Sequence, residues 1–350
     1  MKKGLLYSGL FITALALNSC NSFLEEEPKD QITETTAYQS STLIYLNTVA
    51  SLYSEMGNIQ GNDRQVYDLN TFSTDDAILP TRGGDWYDGG LWQNLFKHNW
   101  SVDNSIVKNA WDTYYRVIAK CNQSIDKLKE LKEADPSNTA IDPYLAEVRA
   151  LRAIYYFYAL DMFGQIPIVE SSTQKIADVS QSTRSEVFAF TLKELQEAVP
   201  LLSPNKSNQS GEYYGRVTQG VAYFYLMKLC LNANIYTDNN TNDGSHPDAM
   251  QIAINVDGTS LNPYEATIAY GQHIALLNYS LESNFSKNFA VENESSSENI
   301  FTVAMDPVKF PDNQFLNVVR SRHYEHAKAF GQGGWNGASA TIEALNAFGY

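Results

Sequence analysis

The chain has 350 residues, of which 43% are hydrophobic, and it carries a formal net charge of −15 at pH 7. This length is enough for one large domain or two ordinary domains, each with a buried core. The acidic balance argues against a nucleic-acid partner, because such partners are bound by basic surfaces that neutralise phosphates.

The first twenty residues have the order of an export signal. Two lysines follow the initial methionine, and residues 4–17 form a mostly apolar stretch that is too short to span a bilayer comfortably. Ser19 and Cys20 come next, and the whole pattern resembles a bacterial lipoprotein signal, in which the cysteine is lipidated. We therefore predict a signal peptide over 1–19 and lipidation at Cys20. An ordinary secretory signal with an incidental cysteine is the alternative.

Residues 20–40 are polar and contain three consecutive glutamates before Pro28. Such a composition is typical of an extended tether. An acidic run behind a lipidated cysteine also resembles the surface-export signal of some Gram-negative lipoproteins. We predict a tether over 20–40 and a folded domain over 41–350.

Six later segments have apolar residues at steps of three and four, which is the spacing of one helix face. Gly164 and Pro167 predict a sharp end to the third of these helices. Residues 299–305 predict a short strand. The predicted helices lie at 42–56, 105–131, 142–163, 183–199, 218–236 and 264–278.

The helices follow one another as antiparallel pairs of roughly 34 to 45 residues, the range of tetratricopeptide-like repeats. The predicted fold class is therefore mostly α, a tetratricopeptide-like scaffold of helical pairs with long irregular loops and little β structure. Cys121 and Cys230 fall on predicted helices, so we expect buried thiols, although a disulfide between them stays open.

Residues 58–104 lack helical periodicity and are rich in glycine and aromatic residues. Long irregular segments are usually functional or disordered, and the aromatic density argues against disorder. We predict an inserted aromatic loop region here.

Two glycine-flanked clusters stand out, TRGGDWYDGGLW at 81–92 and GQGGWNGAS at 331–339. Exposed aromatic rings on such loops suit stacking on the apolar faces of sugars, while neighbouring polar side chains bond hydroxyl groups. The alternative is that the tryptophans fill the core under the loops, and the sequence favours neither reading. The candidate ligand-binding residues are Arg82, Trp86, Tyr87, Trp92, Trp335 and Asn336.

Catalytic motifs are missing from the sequence, which has no GxSxG, HExxH, Walker loop or GxGxxG. We predict no catalytic residue, no cofactor and no metal site. His323 and His326 are interpreted as a surface pair, and residues 238–244 as a turn rather than a calcium loop. Paired acids leave a glycoside hydrolase open as an alternative. These acids are Asp75, Asp76, Asp85 and Asp88.

Several motifs together resemble the SusD/RagB family, whose members are surface lipoproteins that capture nutrients for a TonB-dependent transporter. No single motif is specific, but they extend along almost the whole chain. Two departures from the family pattern are Asn299 and Ala338. The matching residues are Cys20 with Phe23-Leu24-Glu25, Trp111 with Tyr115, Ile118 and Asn122, Arg149 to Ala153 with Phe163-Gly164 and Pro167, Val217-Thr218, Glu298 to Phe301, and Gly334-Trp335-Asn336-Gly337.

The resemblance implies a tetratricopeptide-like scaffold that binds oligosaccharide or another nutrient through aromatic side chains, without catalysis. It implies a TonB-dependent SusC-like transporter as partner and a lipid-anchored position on the outer membrane, facing the cell surface. Family members run longer than 350 residues, so we expect the C-terminal part to be incomplete. A protein-binding adaptor is the remaining alternative, and the ligand stays open.

Overall fold

The structure, a computed structural model, describes residues 34–59, 66–304, 308 and 320–349. The predicted signal peptide, Cys20 and most of the predicted tether lie outside these residues. In the described ranges, none of the helices combines the length and the apolarity that crossing a bilayer requires. The chain divides into two units, residues 1–47 and 48–350.

From residue 34 onward, where its description begins, the smaller unit contains two short helices, α1 at Glu34–Ala37 and α2 at Ser41–Tyr45. Ser40 caps α2, because its side-chain oxygen accepts a hydrogen bond from a backbone N–H in the first turn. The amide of Asn47 donates to the carbonyl of Ala37 at 2.8 Å. These two hydrogen bonds fix the short connection between the helices.

The elements that follow α2 are a π-helical turn at Leu46–Ala50, α3 at Ser51–Tyr53, a 3₁₀ turn at Met56–Ile59, α4 at Val66–Phe72, β1 at Ala77–Ile78, a 3₁₀ turn at Asp88–Gly90 and α5 at Leu91–Phe96. The long helices come next, α6 at Ser105–Ala134, α7 at Ile141–Phe163, α8 at Arg184–Ala198 and α9 at Gln219–Leu231, with 3₁₀ turns at Ile176–Asp178 and Val199–Leu201. The rest comprises α10 at Ala233–Tyr236, a 3₁₀ turn at Ala249–Gln251, β2 at Ile254–Val256, β3 at Thr259–Leu261, α11 at Pro263–Leu276, a 3₁₀ turn at Phe285–Phe289, α12 at Tyr324–Ala329, β4 at Ser339–Ala340 and α13 at Ile342–Ala347.

The long helices form a scaffold in which each packs against the next, in the order α6, α7, α8, α9 and α11. Helix α7 lies between α6 and α8, and Tyr155, Tyr156 and Phe157 are all buried although they point in different directions. A helix that is contacted on several sides needs apolar residues all round. The mostly α fold of helical pairs is therefore confirmed.

The two ends of α7 differ in how well they are predicted. The dipeptide Asp142-Pro143 predicts an N-cap at Asp142, but helix α7 begins at Ile141 with Ala140 at its N-cap, two residues earlier. The predicted end is confirmed, since Gly164 follows the last helical residue with φ of 71°. A Cβ atom at Gly164 would also lie 2.4 Å from Nε of Arg184, so glycine is required there for two reasons.

Buried charges tie three scaffold helices together. Arg152 of α7 donates to Glu194 of α8 at 2.5 Å and to Oδ1 of Asn122 of α6 at 2.7 Å. Arg149 donates to the other oxygen of Glu194 at 2.6 Å. Because each charge has a partner, the pair avoids the large cost of burying an isolated ion.

Some predicted elements are corrected by the structure. The loop region 58–104 contains α4 and α5, which have seven and six residues and are too short to show a helical period clearly. Residues 299–304 are irregular, so the predicted strand is wrong for them, and Met305 lies outside the described residues. A strand needs a neighbour to supply its hydrogen bonds, and residue composition alone cannot show one. The predicted helix at 218–236 is interrupted at Asn232.

Two two-stranded sheets were not predicted, one pairing β1 with β4 and the other pairing β2 with β3. The cysteine prediction is confirmed, because Cys121 and Cys230 are free and buried, and burial raises the pKa of each thiol to about 12. Both thiols are therefore core side chains.

Candidate functional site

The two glycine-flanked clusters, about 250 residues apart in the chain, meet in space. Strand β1 pairs antiparallel with β4, so that Ala77 lies opposite Ala340. Next to this pair, the backbone N–H of Thr341 donates to the carbonyl of Asp76 at 3.1 Å. This short sheet holds the end of the second cluster beside the start of the first.

Trp86 is the centre of the ring contacts between the clusters. Its ring centroid lies 5.8 Å from that of Trp92 and 6.4 Å from that of Trp335. Its indole N–H donates to the backbone carbonyl of Trp335 at 3.0 Å. Exposure increases along this row, since Trp92 is fully buried, Trp86 is half-buried and Trp335 is 36% exposed.

Trp92 belongs to the core rather than to the surface. Its ring packs edge-on against Phe72 at 5.8 Å, and its indole N–H donates to Oδ2 of Asp88 at 2.8 Å. A ring with no exposed surface cannot touch a ligand, so direct ligand contact by Trp92 is not compatible with its position. For this tryptophan, the alternative of a core-filling side chain applies.

The other predicted residues take different places. Tyr87 is 60% exposed, beside Trp86 in the sequence. Arg82 is half-buried and donates to the hydroxyl of Ser339 in the second cluster. Asn336 is half-buried, and its backbone N–H donates to the carbonyl of Arg322 at 2.8 Å. Arg82 therefore joins the two clusters, whereas Asn336 fixes the second cluster on the residues just before it.

Sequence reasoning missed the role of Tyr324. This tyrosine is 44% exposed at the start of α12, and its hydroxyl donates to Oδ2 of Asp85 at 2.8 Å. The hydrogen bond to the carboxylate raises the pKa of Tyr324. A contact between residues so far apart leaves no local pattern in the sequence. We refer to Trp86, Trp335 and Tyr324 as the aromatic platform.

A buried ion pair packs against Trp92, the ring on which Trp86 of the platform rests. Arg320 and Asp68 are both buried and joined by a salt bridge. The guanidinium carbon of Arg320 lies 5.2 Å from the ring centroid of Trp92, within the range of a cation–π contact. A Cβ atom at Gly337 would lie 2.8 Å from Arg320 and 2.9 Å from the ring of Trp86, so only glycine fits between them.

Backbone strain is concentrated at the same place. Of the six non-glycine residues with positive φ in the described ranges, three belong to the two clusters, namely Trp86, Asp88 and Asn336. Such conformations cost of the order of 1–3 kcal/mol each and persist only where other contacts hold them. The strain marks this region as one whose geometry is held by its surroundings.

Two cavities provide a comparison. One, of about 370 Å³, lies between α4 and the residues around β4, and it is lined by Asp76, Arg320 and Ser339 among others. Another, of about 730 Å³, lies beside α9 and α11, and its walls include the apolar side chains of Ile274 and Phe285. Sugars need both aromatic faces and polar partners, and both linings contain them, for example Phe72 and Arg320 in the first and Tyr158 and Asn288 in the second.

The paired acids of the hydrolase alternative are all exposed. Asp85 accepts a hydrogen bond from the hydroxyl of Tyr324 and Asp88 accepts one from the indole N–H of Trp92, at 2.8 Å in both cases. His323 and His326 have ring centroids 5.8 Å apart. Within the described ranges, no group of three or more metal-ligating side chains is arranged to hold a metal ion.

Residues 22–231, more than half of the chain, match the sequence model of a SusD-like family described as "Starch-binding associating with outer membrane". The chain belongs to the SusD-like family. A SusD-like protein of Bacteroides ovatus is 29% identical over 238 residues, which cover 66% of this chain and 40% of that protein. Other SusD-like relatives, including the starch-binding protein SusD of Bacteroides thetaiotaomicron, are covered to 35–54% of their length, so this chain spans about half the length of its relatives or less.

Solved structures agree on the fold. A SusD-like protein from Bacteroides fragilis superposes with a TM-score of 0.65 at 20% identity, over 91% of this chain and 54% of that one. The surface glycan-binding protein A of Bacteroides thetaiotaomicron, solved with laminarihexaose, superposes with a TM-score of 0.61 at 17% identity, over 87% of this chain and 60% of that one. The SusD-like helical fold is thus shared at low identity.

Proposed function

We propose that this chain is a cell-surface lipoprotein that binds an oligosaccharide at the aromatic platform and delivers it to a TonB-dependent, SusC-like transporter in the outer membrane. The observation that carries the proposal is the exposed ring of Trp335, which packs against Trp86 and whose backbone carbonyl accepts a hydrogen bond from the indole of Trp86. Family membership supports a glycan as the ligand.

The chemistry of the platform suits a sugar. The face of a pyranose ring carries C–H groups, which pack on the π-face of an indole, while its edge carries hydroxyl groups that need polar partners. Trp335 offers the face. Asp85 accepts a hydrogen bond from the platform residue Tyr324, and Arg82 donates one to Ser339 of the second cluster, so both provide polar groups nearby. We assign Trp86 to the support of Trp335 and leave Trp92 out of the contact set because its ring is buried.

Preorganisation favours binding at this place. The rings are fixed by the Asp68–Arg320 ion pair, the β1–β4 pairing and the close fit of Gly337 before any ligand arrives. A ligand that meets a fixed platform does not have to order the loops, so less binding free energy is lost.

The delivery step and the anchor rest on the sequence and the family. The pattern before Cys20 supports lipidation, and the family description supports association with the outer membrane. A nutrient that reaches the cell surface on such a protein requires a transporter, and the resemblance to SusD/RagB proteins points to a SusC-like barrel.

The test is native affinity electrophoresis of the full chain in gels that contain starch or laminarin. Replacing Trp335 by alanine (Trp335→Ala) should weaken retention about tenfold, the usual cost of removing a central aromatic contact. Tyr264→Ala is the matched control, because Tyr264 is 47% exposed at the start of α11, away from the clusters in the sequence, and should leave retention unchanged.

Circular dichroism must show that both variants keep the helical fold. Retention of Trp335→Ala equal to that of the unchanged protein would contradict the proposal. Release of reducing ends from either polysaccharide would instead favour the glycoside hydrolase.

A further inference from the structure

Trp100 is the most exposed of the five tryptophans of this chain, with 41% of its surface accessible, and it lies outside both glycine-flanked clusters. Phe96, at the end of α5, is 37% exposed close by in the sequence. Burying a large aromatic ring lowers the free energy of the system. A ring that the fold leaves exposed therefore favours a contact that covers it. The aromatic platform does not account for Trp100.

The segment that carries Trp100 is held firmly at both ends. Before it, the backbone N–H of His98 donates to the carbonyl of Leu95 at 3.0 Å, which closes α5. After it, Asn104 donates from its backbone to the carbonyl of Ser101 at 3.1 Å and caps α6 with its side chain. An exposed ring on an anchored segment is a preorganised contact.

His98 gives this contact a polar partner. Its ring centroid lies 5.4 Å from that of Trp100, and its Nε2 atom lies 2.7 Å from the carbonyl oxygen of Ser73. A carbonyl oxygen only accepts hydrogen bonds, so Nε2 must carry the proton. Nδ1 of the neutral ring is then an acceptor, on an imidazole that is tilted by 60° to the ring of Trp100.

The backbone of His98 is strained as well. Its φ is 51°, in the left-handed region that residues other than glycine rarely adopt. This conformation ends α5, because the backbone N–H groups of His98 and Asn99 donate to the carbonyls of Leu95 and Asn94 in a Schellman-type C-cap. The helix end thereby fixes His98 beside the exposed ring of Trp100.

We propose that Trp100 and His98 form a second saccharide-binding site, in which a pyranose ring stacks on Trp100 and one of its hydroxyl groups donates to Nδ1 of His98. Exposed polar residues on both sides of Trp100, namely Asn99 and Ser101, provide further hydrogen-bonding groups. A protein-binding patch would have an apolar centre with few polar groups, so a sugar is the better match.

The second site lies apart from the first. Trp86 precedes α5 and Trp100 follows it, and a helix of six residues is about 9 Å long. Two contacts on one loop region would let a single long glycan bind at both, with a gain in avidity. The inference rests on the proposed glycan binding of this chain, but it does not depend on the aromatic platform being a site.

Nuclear magnetic resonance of the full chain in detergent, with isotope-labelled tryptophan, tests both sites at once. The five tryptophans give five indole N–H signals, which single Trp→Phe variants assign. Maltohexaose and laminarihexaose are the probes. We expect the signals of Trp100 and Trp335 to shift on addition of at least one of them, while that of the buried Trp92 changes least.

Each other outcome decides between the proposals. A shift of Trp335 alone would overturn the second site and support the aromatic platform. A shift of Trp100 alone would support the second site and contradict the platform. If neither signal moves with either probe, both proposals fail.

Affinity gels provide the second measurement. Trp100→Ala should weaken retention about fivefold to tenfold. The gel contains the polysaccharide, starch or laminarin, whose hexaose shifts the Trp100 signal. Val102→Ala is the matched control on the same segment. Val102 is 87% exposed, and its substitution removes no aromatic face. Equal retention of Trp100→Ala and Val102→Ala would overturn the second site.

Discussion

In the scaffold helices α6 to α9, neighbours along the chain bury apolar and aromatic faces against each other. In the loop layer, residues 66–100 and 320–349, contacts join positions about 250 residues apart, through one short sheet, one buried ion pair and one row of tryptophans. The first region is stabilised by burial over a large area, and the second by a few specific contacts. We therefore expect changes in the scaffold to act on folding, and changes in the loop layer to act on binding.

Alkaline pH should separate the two regions with the largest effect. The pKa values of the scaffold tyrosines Tyr114, Tyr155 and Tyr225 are raised, chiefly because burial disfavours the charged phenolate. In the unfolded chain these groups ionise near pH 10, roughly their ordinary pKa. Stability is therefore fully present below about pH 10 and is lost as the pH rises above it, because only the unfolded chain can release the protons.

The measurement is a pH titration that follows helix content and phenolate absorbance together. We expect the absorbance of the buried tyrosines to rise only when helix content falls, above about pH 10. The tryptophans of the loop layer do not titrate, so they should not start this transition. Ionisation of all tyrosines at about pH 10 with the helices intact would contradict the prediction.

Breaking the buried ion pair of the scaffold should have the next largest effect. Arg152→Ala leaves Glu194 buried with fewer partners and should lower the free energy of unfolding by about 3–5 kcal/mol. Arg149→Ala is the matched control, because the side chain of Arg149 is 24% exposed, and it should cost about 1 kcal/mol or less. Denaturant unfolding followed by circular dichroism measures both, and equal losses would count against the prediction.

The scaffold was predictable because its residues carry a local pattern. The spacing in α6 predicted a helix over 105–131. The observed helix begins at the same residue and continues slightly further, to Ala134. The sequence offered Thr183 or Ser185 as the cap of α8, and Thr183 takes this position in a capping box with Glu186. Gly164 marked the end of α7 since few other residues adopt its φ.

The loop layer was only partly predictable. Its composition indicated aromatic clusters, but the row formed by Trp92, Trp86 and Trp335 depends on a sheet between β1 and β4, whose strands have two residues each. Two residues are too few to give an alternating pattern. The bond from Tyr324 to Asp85 has no local pattern either, because its partners are distant in the chain.

The substitution Gly337→Ala should have the smallest effect on the whole fold and a clear effect on binding. The new Cβ would lie 2.8 Å from the side chain of Arg320 and 2.9 Å from the ring of Trp86. The loop layer must then shift, at a local cost of about 1–3 kcal/mol, and Trp335 moves away from Trp86. Retention in starch or laminarin gels should fall while helix content stays unchanged.

Gly333→Ala is a sharp control for this substitution. Gly333 lies in the same cluster, but a Cβ there would meet no atom within 4 Å, so the variant should bind and fold like the unchanged protein within about 0.5 kcal/mol. A difference between the two alanine variants isolates the packing of Trp86, since both remove a glycine from the same loop. If both variants retain glycan equally well, the close fit at Gly337 does not control the platform, and the loop layer tolerates more movement than its contacts suggest.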